Sequence, residues 1–141
     1  MACPLTHKVV KGELKNGFDD CLTSLNYSNY QGATITIKKD SLPTPFAQNR
    51  VVDGLYGGLV YDVGRVKWII LWTTHCKVAT KIIPTENHVV WEDIVSILQP
   101  YDSSDNLPLS CGGAFAAEAH IHTNGDGSLN PTAQIMWSGC K

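Results

Sequence analysis

Three side chains able to bind a cation or move a proton stand two residues apart in the segment AFAAEAHIHT: Glu118, His120 and His122. Alternate residues of a β-strand share one face, so a carboxylate and two imidazoles could converge on one metal ion. Alternating histidines followed shortly by a carboxylate, here Asp126, form a familiar half of a metal set. The other half needs a later histidine, and the 19 residues that follow His122 contain none. Against the metal reading stands a plainer one, in which the three residues form the solvent-facing side of a hairpin.

A second pair, His75-Cys76, suggests a thiol nucleophile. Such a thiol needs a base at hydrogen-bond distance, and neighbouring residues on a strand point to opposite faces. Cys76 therefore reads as a buried, inert thiol. The chain has no GxGxxG, P-loop, GxSxG or HExxH pattern. NGDGSLN does not have the spacing of a calcium-binding loop and reads as a turn. Tyr30, Tyr56 and Tyr101 sit beside expected loops. An exposed ring with one polar atom is suited to stacking on sugar or to contact with a membrane interface.

The bulk numbers narrow the choices. A chain of 141 residues with 43% hydrophobic content can bury a core as a single domain, 1–141. Only 17% of residues are charged, and 11 Lys and Arg face 13 Asp and Glu. That balance offers no basic surface for a nucleic-acid backbone. The longest apolar run, WIILW at 68–72, is far shorter than the roughly 20 residues of a spanning helix. MACPLTHKVVKGELK has no apolar leader core, so the expected location is cytoplasmic. Five cysteines, an odd number with no CxxC spacing, are expected to be reduced and mostly structural.

The elements that must position these residues are mostly strands. Ala33, Ile35 and Ile37 alternate with Thr34, Thr36 and Lys38, and Leu22, Leu25 and Tyr27 suggest a partner strand. Pro43 and Pro45 force a loop or a sheet edge. Strands are expected at 56–63, 65–73 and 77–83. In the second of these, Val66, Trp68, Ile70 and Trp72 share one face while Ile69 and Leu71 share the other, so both faces should be covered. PTENHVVWEDIVSILQP has the apolar stripe of one short helix, about residues 87–99, with Thr85 or Asn87 as its cap. Residues 101–113 read as a loop. The C-terminal hairpin is the clearest signal: AFAAEAHIHT, the turn NGDG, then SLNPTAQIMW, with Pro131 suggesting an edge or a bulge. With no βαβ alternation, six to eight strands and one helix add up to a mainly β, antiparallel β-sandwich.

Several of these segments, in order, are SLNYSNYQGATITI, PTPFAQNRV, GGLVY with KWIILW, and VVWEDIVSIL. Together they resemble the small jasmonate-induced proteins of plants, which are in turn similar to the aegerolysins. The resemblance covers about two-thirds of the chain. It departs after Trp72, where Thr-Thr-His-Cys replaces an expected Asn-Pro-Trp, and between the Val-Tyr and Trp strands, where the turn is cut to Asp62-Val63-Gly64-Arg65. It implies a β-sandwich that works by binding, carries no catalytic residues and uses no cofactor. On that basis the expected function is a non-catalytic stress or defence protein recognising a membrane lipid or a protein partner. A lectin, with glycan as partner, is the alternative. A metal-dependent enzyme at Glu118, His120 and His122 is the third reading.

Overall fold

In the computed structural model the described residues are 9–17, 22–28, 36–37, 44–49, 56–63, 65–73, 75–126 and 128–139, with side chains described for 12–15, 58–63, 65–73, 75–126 and 128–139. They form a β-sandwich of two sheets with one short helix. The strands are β1 Val9–Gly17, β2 Leu22–Ser28, β3 Thr36–Ile37, β4 Thr44–Asn49, β5 Tyr56–Asp62, β6 Val66–Thr73 and β7 Lys77–Pro84. After helix α1, Trp91–Val95, come β8 Gln99–Pro100, β9 Asp102–Pro108, β10 Ala114–Thr123 and β11 Leu129–Trp137. The first sheet has the order β4-β1-β11-β10-β9, and the second β3-β2-β5-β6-β7-β8.

The double-sided strand is as its sequence dictates. Trp68, Ile70, Trp72 and Val66 point between the sheets, with Phe115, Ala117, Ala119, Ala133 and Ile135 of the first sheet in the same core. The small alanines leave room for the two indoles, which is how facing layers interdigitate without voids. Ile69 and Leu71 point the other way and are covered by Ile94 of α1, together with Val60 and Ala79. Trp91 lies so close over β5 that a Cβ on Gly58 would come within 2.9 Å of its ring, which is why that strand position is a glycine.

The helix is shorter than the expected 87–99 and is not capped by Thr85 or Asn87. Its N-cap is Val90, with no side-chain cap, and Glu92 and Asp93 in the first turn supply the favourable negative charge instead. Three further expectations are corrected. Residues 102–108 are not loop but an edge strand, paired with β10 from Ala114↔Pro108 to His120↔Asp102. Pro131 is not at an edge, since β11 lies between β1 and β10. Its ladder to β1 lapses between Val10↔Leu129 and Glu13↔Thr132, where the missing proline N–H falls. That pairing is also parallel, so the first sheet is mixed while every other ladder is antiparallel. The segment with Pro43 and Pro45 does supply an edge strand, β4.

The thiol expectation is corrected too. Cys76 and Cys111 are each disulfide-bonded. They are not bonded to each other. The Cys76 carbonyl accepts the Tyr101 N–H at 3.0 Å, at the start of β9. Cys111 lies beyond the far end of that seven-residue strand, beside Arg65, whose Nη1 is 3.9 Å from its Sγ. Seven strand residues span roughly 20 Å, whereas disulfide Cα atoms lie within about 7 Å of one another. Each partner therefore lies outside the described residues.

Beyond its two-residue pairing with β8, the edge of β7 is closed by side chains rather than by a strand. Ser103 Oγ accepts the Thr80 N–H at 3.1 Å, and Asp105 Oδ2 accepts the Ile82 N–H at 2.8 Å. Asp105→Ala removes an acceptor from a half-buried amide and is expected to lower stability by about 1–3 kcal/mol. Urea denaturation checks this. Asp105→Asn, which keeps an acceptor oxygen, should lose less, and an unchanged midpoint for Asp105→Ala would refute the edge-closing role.

Candidate functional site

The outer face of the first sheet carries two polar rows beside the exposed Met136, and its strand registers set the arrangement. Inward residues of β10 and β11 are buried, so their neighbours face out. Glu13 of β1 stands opposite Thr132 of β11, Thr132 opposite His120 of β10, and His120 opposite Asp102 of β9. A second row two residues along is Lys15, Gln134, Glu118 and Ser104. Adjacent members of a row are about 5 Å apart, close enough for side chains to meet.

They do meet. His120 Nδ1 is 2.6 Å from Asp102 Oδ1, and its Nε2 is 4.0 Å from Glu118 Oε1. Gln134 Nε2 donates to Glu118 Oε1. One row on, Asn130 Nδ2 donates to His122 Nε2 at 3.0 Å. Two shallow depressions open on this surface. One, of about 170 Å³, is lined by Glu13, Lys15, Thr132 and Gln134 on its outer side. The other, of about 270 Å³, is lined by Gln99, Asp102, Ser103 and Ser104. Glu118 and His120 line both.

The expected metal residues are therefore in line rather than around a point. Glu118, His120 and His122 face outward along β10, and the first and last are separated by roughly 13 Å of extended chain. Each is engaged by a different neighbour, Gln134, Asp102 and Asn130 respectively. Among the described residues, no group of three or more His, Cys, Asp or Glu side chains is placed to hold a metal ion. Asp126 braces the hairpin turn, with its Oδ1 accepting from the Ser128 N–H at 3.0 Å and the Ser128 hydroxyl at 2.6 Å. His75 is exposed beside the disulfide-bonded Cys76, so no free thiol nucleophile is present there.

Of the three tyrosines, Tyr30 lies outside the described residues. Tyr56 opens β5 opposite Thr73, and its side chain is likewise outside them. Tyr101 is described in full and is unusual. It is 44% exposed and has φ of +69°, a left-handed conformation that a bulky residue rarely adopts. Its backbone is held from both sides, by the Cys76 carbonyl and by the Ile121 N–H, which donates to the Tyr101 carbonyl at 2.8 Å. Such strain persists only where the surroundings over-determine it, and it often marks a functional position. Tyr101 immediately precedes Asp102 and so stands at the end of the polar rows.

Sequence reasoning found Glu118, His120 and Tyr101 but missed Glu13, Lys15, Asp102, Ser104, Thr132 and Gln134. The hairpin signal around NGDG does imply that Gln134 and Thr132 face the same side as Glu118 and His120. No comparable local signal exists for β1 or β9.

No family model and no curated protein matches the chain. Among solved structures, the chain is similar to a Xerocomus chrysenteron lectin, XCL, at 9% identity and a TM-score of 0.44, over 93% of this chain and 97% of that one. At that score and identity, the likeness carries no inference about ligand or site.

Proposed function

We propose that the outer face of the first sheet binds a neutral, hydroxyl-rich ligand, a glycan, without a metal. The single observation that carries this reading is the composition and spacing of the two polar rows. Carboxylates only accept hydrogen bonds, the Lys15 ammonium only donates, and Gln134, Thr132 and Ser104 do both. A sugar hydroxyl also does both, so a ring laid across these rows finds complementary partners at each strand spacing. An apolar ligand would bury these charges and amides unpaired, which costs energy. A phosphate or sulfate would meet three carboxylates, Glu13, Asp102 and Glu118, against one ammonium and one imidazole, and would be repelled. The exposed ring of Tyr101, beside Asp102, offers the apolar surface on which sugars stack.

The second reading, recognition of a membrane lipid, draws support from Val90 and Ile97, two exposed apolar side chains flanking α1. The helix they flank packs through Ile94 against the outer face of the second sheet, away from the polar rows.

The test is an array of immobilised neutral glycans, with liposome pelleting run in parallel. Retention on a subset of glycans is expected, with no pelleting. Gln134→Ala should weaken retention about tenfold, the equivalent of one hydrogen bond of roughly 1.4 kcal/mol. The same variant should lower stability by only about 1 kcal/mol, the loss of one part-buried hydrogen bond to Glu118. Pelleting without glycan retention would refute the glycan reading.

A further inference from the structure

The geometry points to a site with two subsites, and so to a linear neutral oligosaccharide of at least two units as the ligand class. This inference rests on the glycan reading above. Two separate depressions share one wall, made by Glu118 and His120. The first lies over β1 and β11, with Lys15, Thr132 and Gln134 as donors. The second lies towards β9 and the end of β8, with Ser104 and Asp102 on its wall. Together they run across four adjacent strands, β1, β11, β10 and β9, a distance of roughly 14 Å at the usual strand spacing.

The shared wall is fixed from both sides. Gln134 donates to Glu118 from the first depression, and Asp102 holds His120 from the second. A chain of sugars crossing the wall can meet Glu118 and His120 where two units join, while each unit settles in one depression. A single ring fills only one of them. Joining two weakly held units makes the second contact intramolecular, so affinity should rise steeply from one unit to two. Lys15 lines only the first depression and Ser104 only the second, three strands away, so substitutions of these two should act independently on a long ligand.

The experiment is calorimetric titration of the full chain with glucose, galactose and mannose, each as the monosaccharide and as its linear di- and tetrasaccharide. At least one series should bind, with affinity rising by about 30-fold or more from one unit to two. Lys15→Ala and Ser104→Ala should each weaken the tetrasaccharide roughly fivefold to tenfold, and the double variant by about the product. Thermal melting of each variant should nearly match that of the parent, because neither side chain is buried. If a monosaccharide binds as tightly as its tetrasaccharide, or if Ser104→Ala leaves the tetrasaccharide unaffected, the two-subsite inference is overturned and the glycan reading stands. If no saccharide of any length binds, here or on the array, both fall.

Discussion

Replacing Trp68 by alanine is expected to lower the unfolding free energy by about 3–5 kcal/mol, the usual loss on emptying a fully buried aromatic site. Trp68 has no exposed surface and lies in the core between the sheets. Its ring sits 5.7 Å from that of Tyr61, its partner across the β5–β6 ladder. Its indole N–H donates to Thr80 Oγ1 at 2.9 Å, and that hydroxyl donates to the Ile69 carbonyl at 3.0 Å. Alanine leaves a cavity that rigid sheets cannot collapse, and it strips the buried Thr80 hydroxyl of its donor. For a chain of this size, the expected fall in Tm is roughly 10 °C or more. Trp68→Phe keeps much of the volume but breaks the hydrogen bond, so its loss should be smaller. Thermal melting followed by circular dichroism decides the matter. A Trp68→Ala variant that melts like the parent but no longer binds ligand would show that the segment serves recognition rather than the core.

The second large effect is expected from reduction. Breaking the bridges at Cys76 and Cys111 should cost about 2–4 kcal/mol each, because each constrains the unfolded chain. The two bridges lie at opposite ends of β9, so their losses should be nearly additive. The Cys76 turn also supplies the carbonyl that holds the Tyr101 N–H. Melting in dithiothreitol should therefore show a Tm well below that of the oxidised protein, and Cys111→Ser should show about half of the shift. An identical Tm with and without the reductant would contradict a stabilising role for these bridges.

The odd cysteine count did not reveal these bridges, since five residues accommodate two pairs and one left over. The strands of the C-terminal hairpin were legible because strict alternation and an Asn-Gly, Asp-Gly turn act locally. The two-faced apolar run of β6 was legible for the same reason, and both of its faces are indeed covered. β9 was not legible. Ser, Asp and Asn have poor strand propensity, and DSSDNLP becomes a strand only because β10 pairs with it and because Ser103 and Asp105 close the edge of β7. The parallel pairing of β1 with β11 joins the two ends of the chain, and no nearby residue announces it. The site was half legible for this reason. Glu118 and His120 came from local alternation, while Glu13, Lys15, Asp102 and Ser104 arrive only through tertiary register. The metal reading treated a shared face as a shared point, and the extended spacing of a strand separates the two.

The most direct measurement is backbone amide chemical-shift mapping of the labelled protein, titrated with the tightest-binding glucose, galactose or mannose tetrasaccharide. The expected result is a contiguous set of shifts on the outer face of the first sheet, at Glu13, Lys15, Ser104, Glu118, His120 and Gln134. Shifts gathered instead around α1, at Val90 and Ile97, or no shifts at all, would contradict the placement of the binding site on that face.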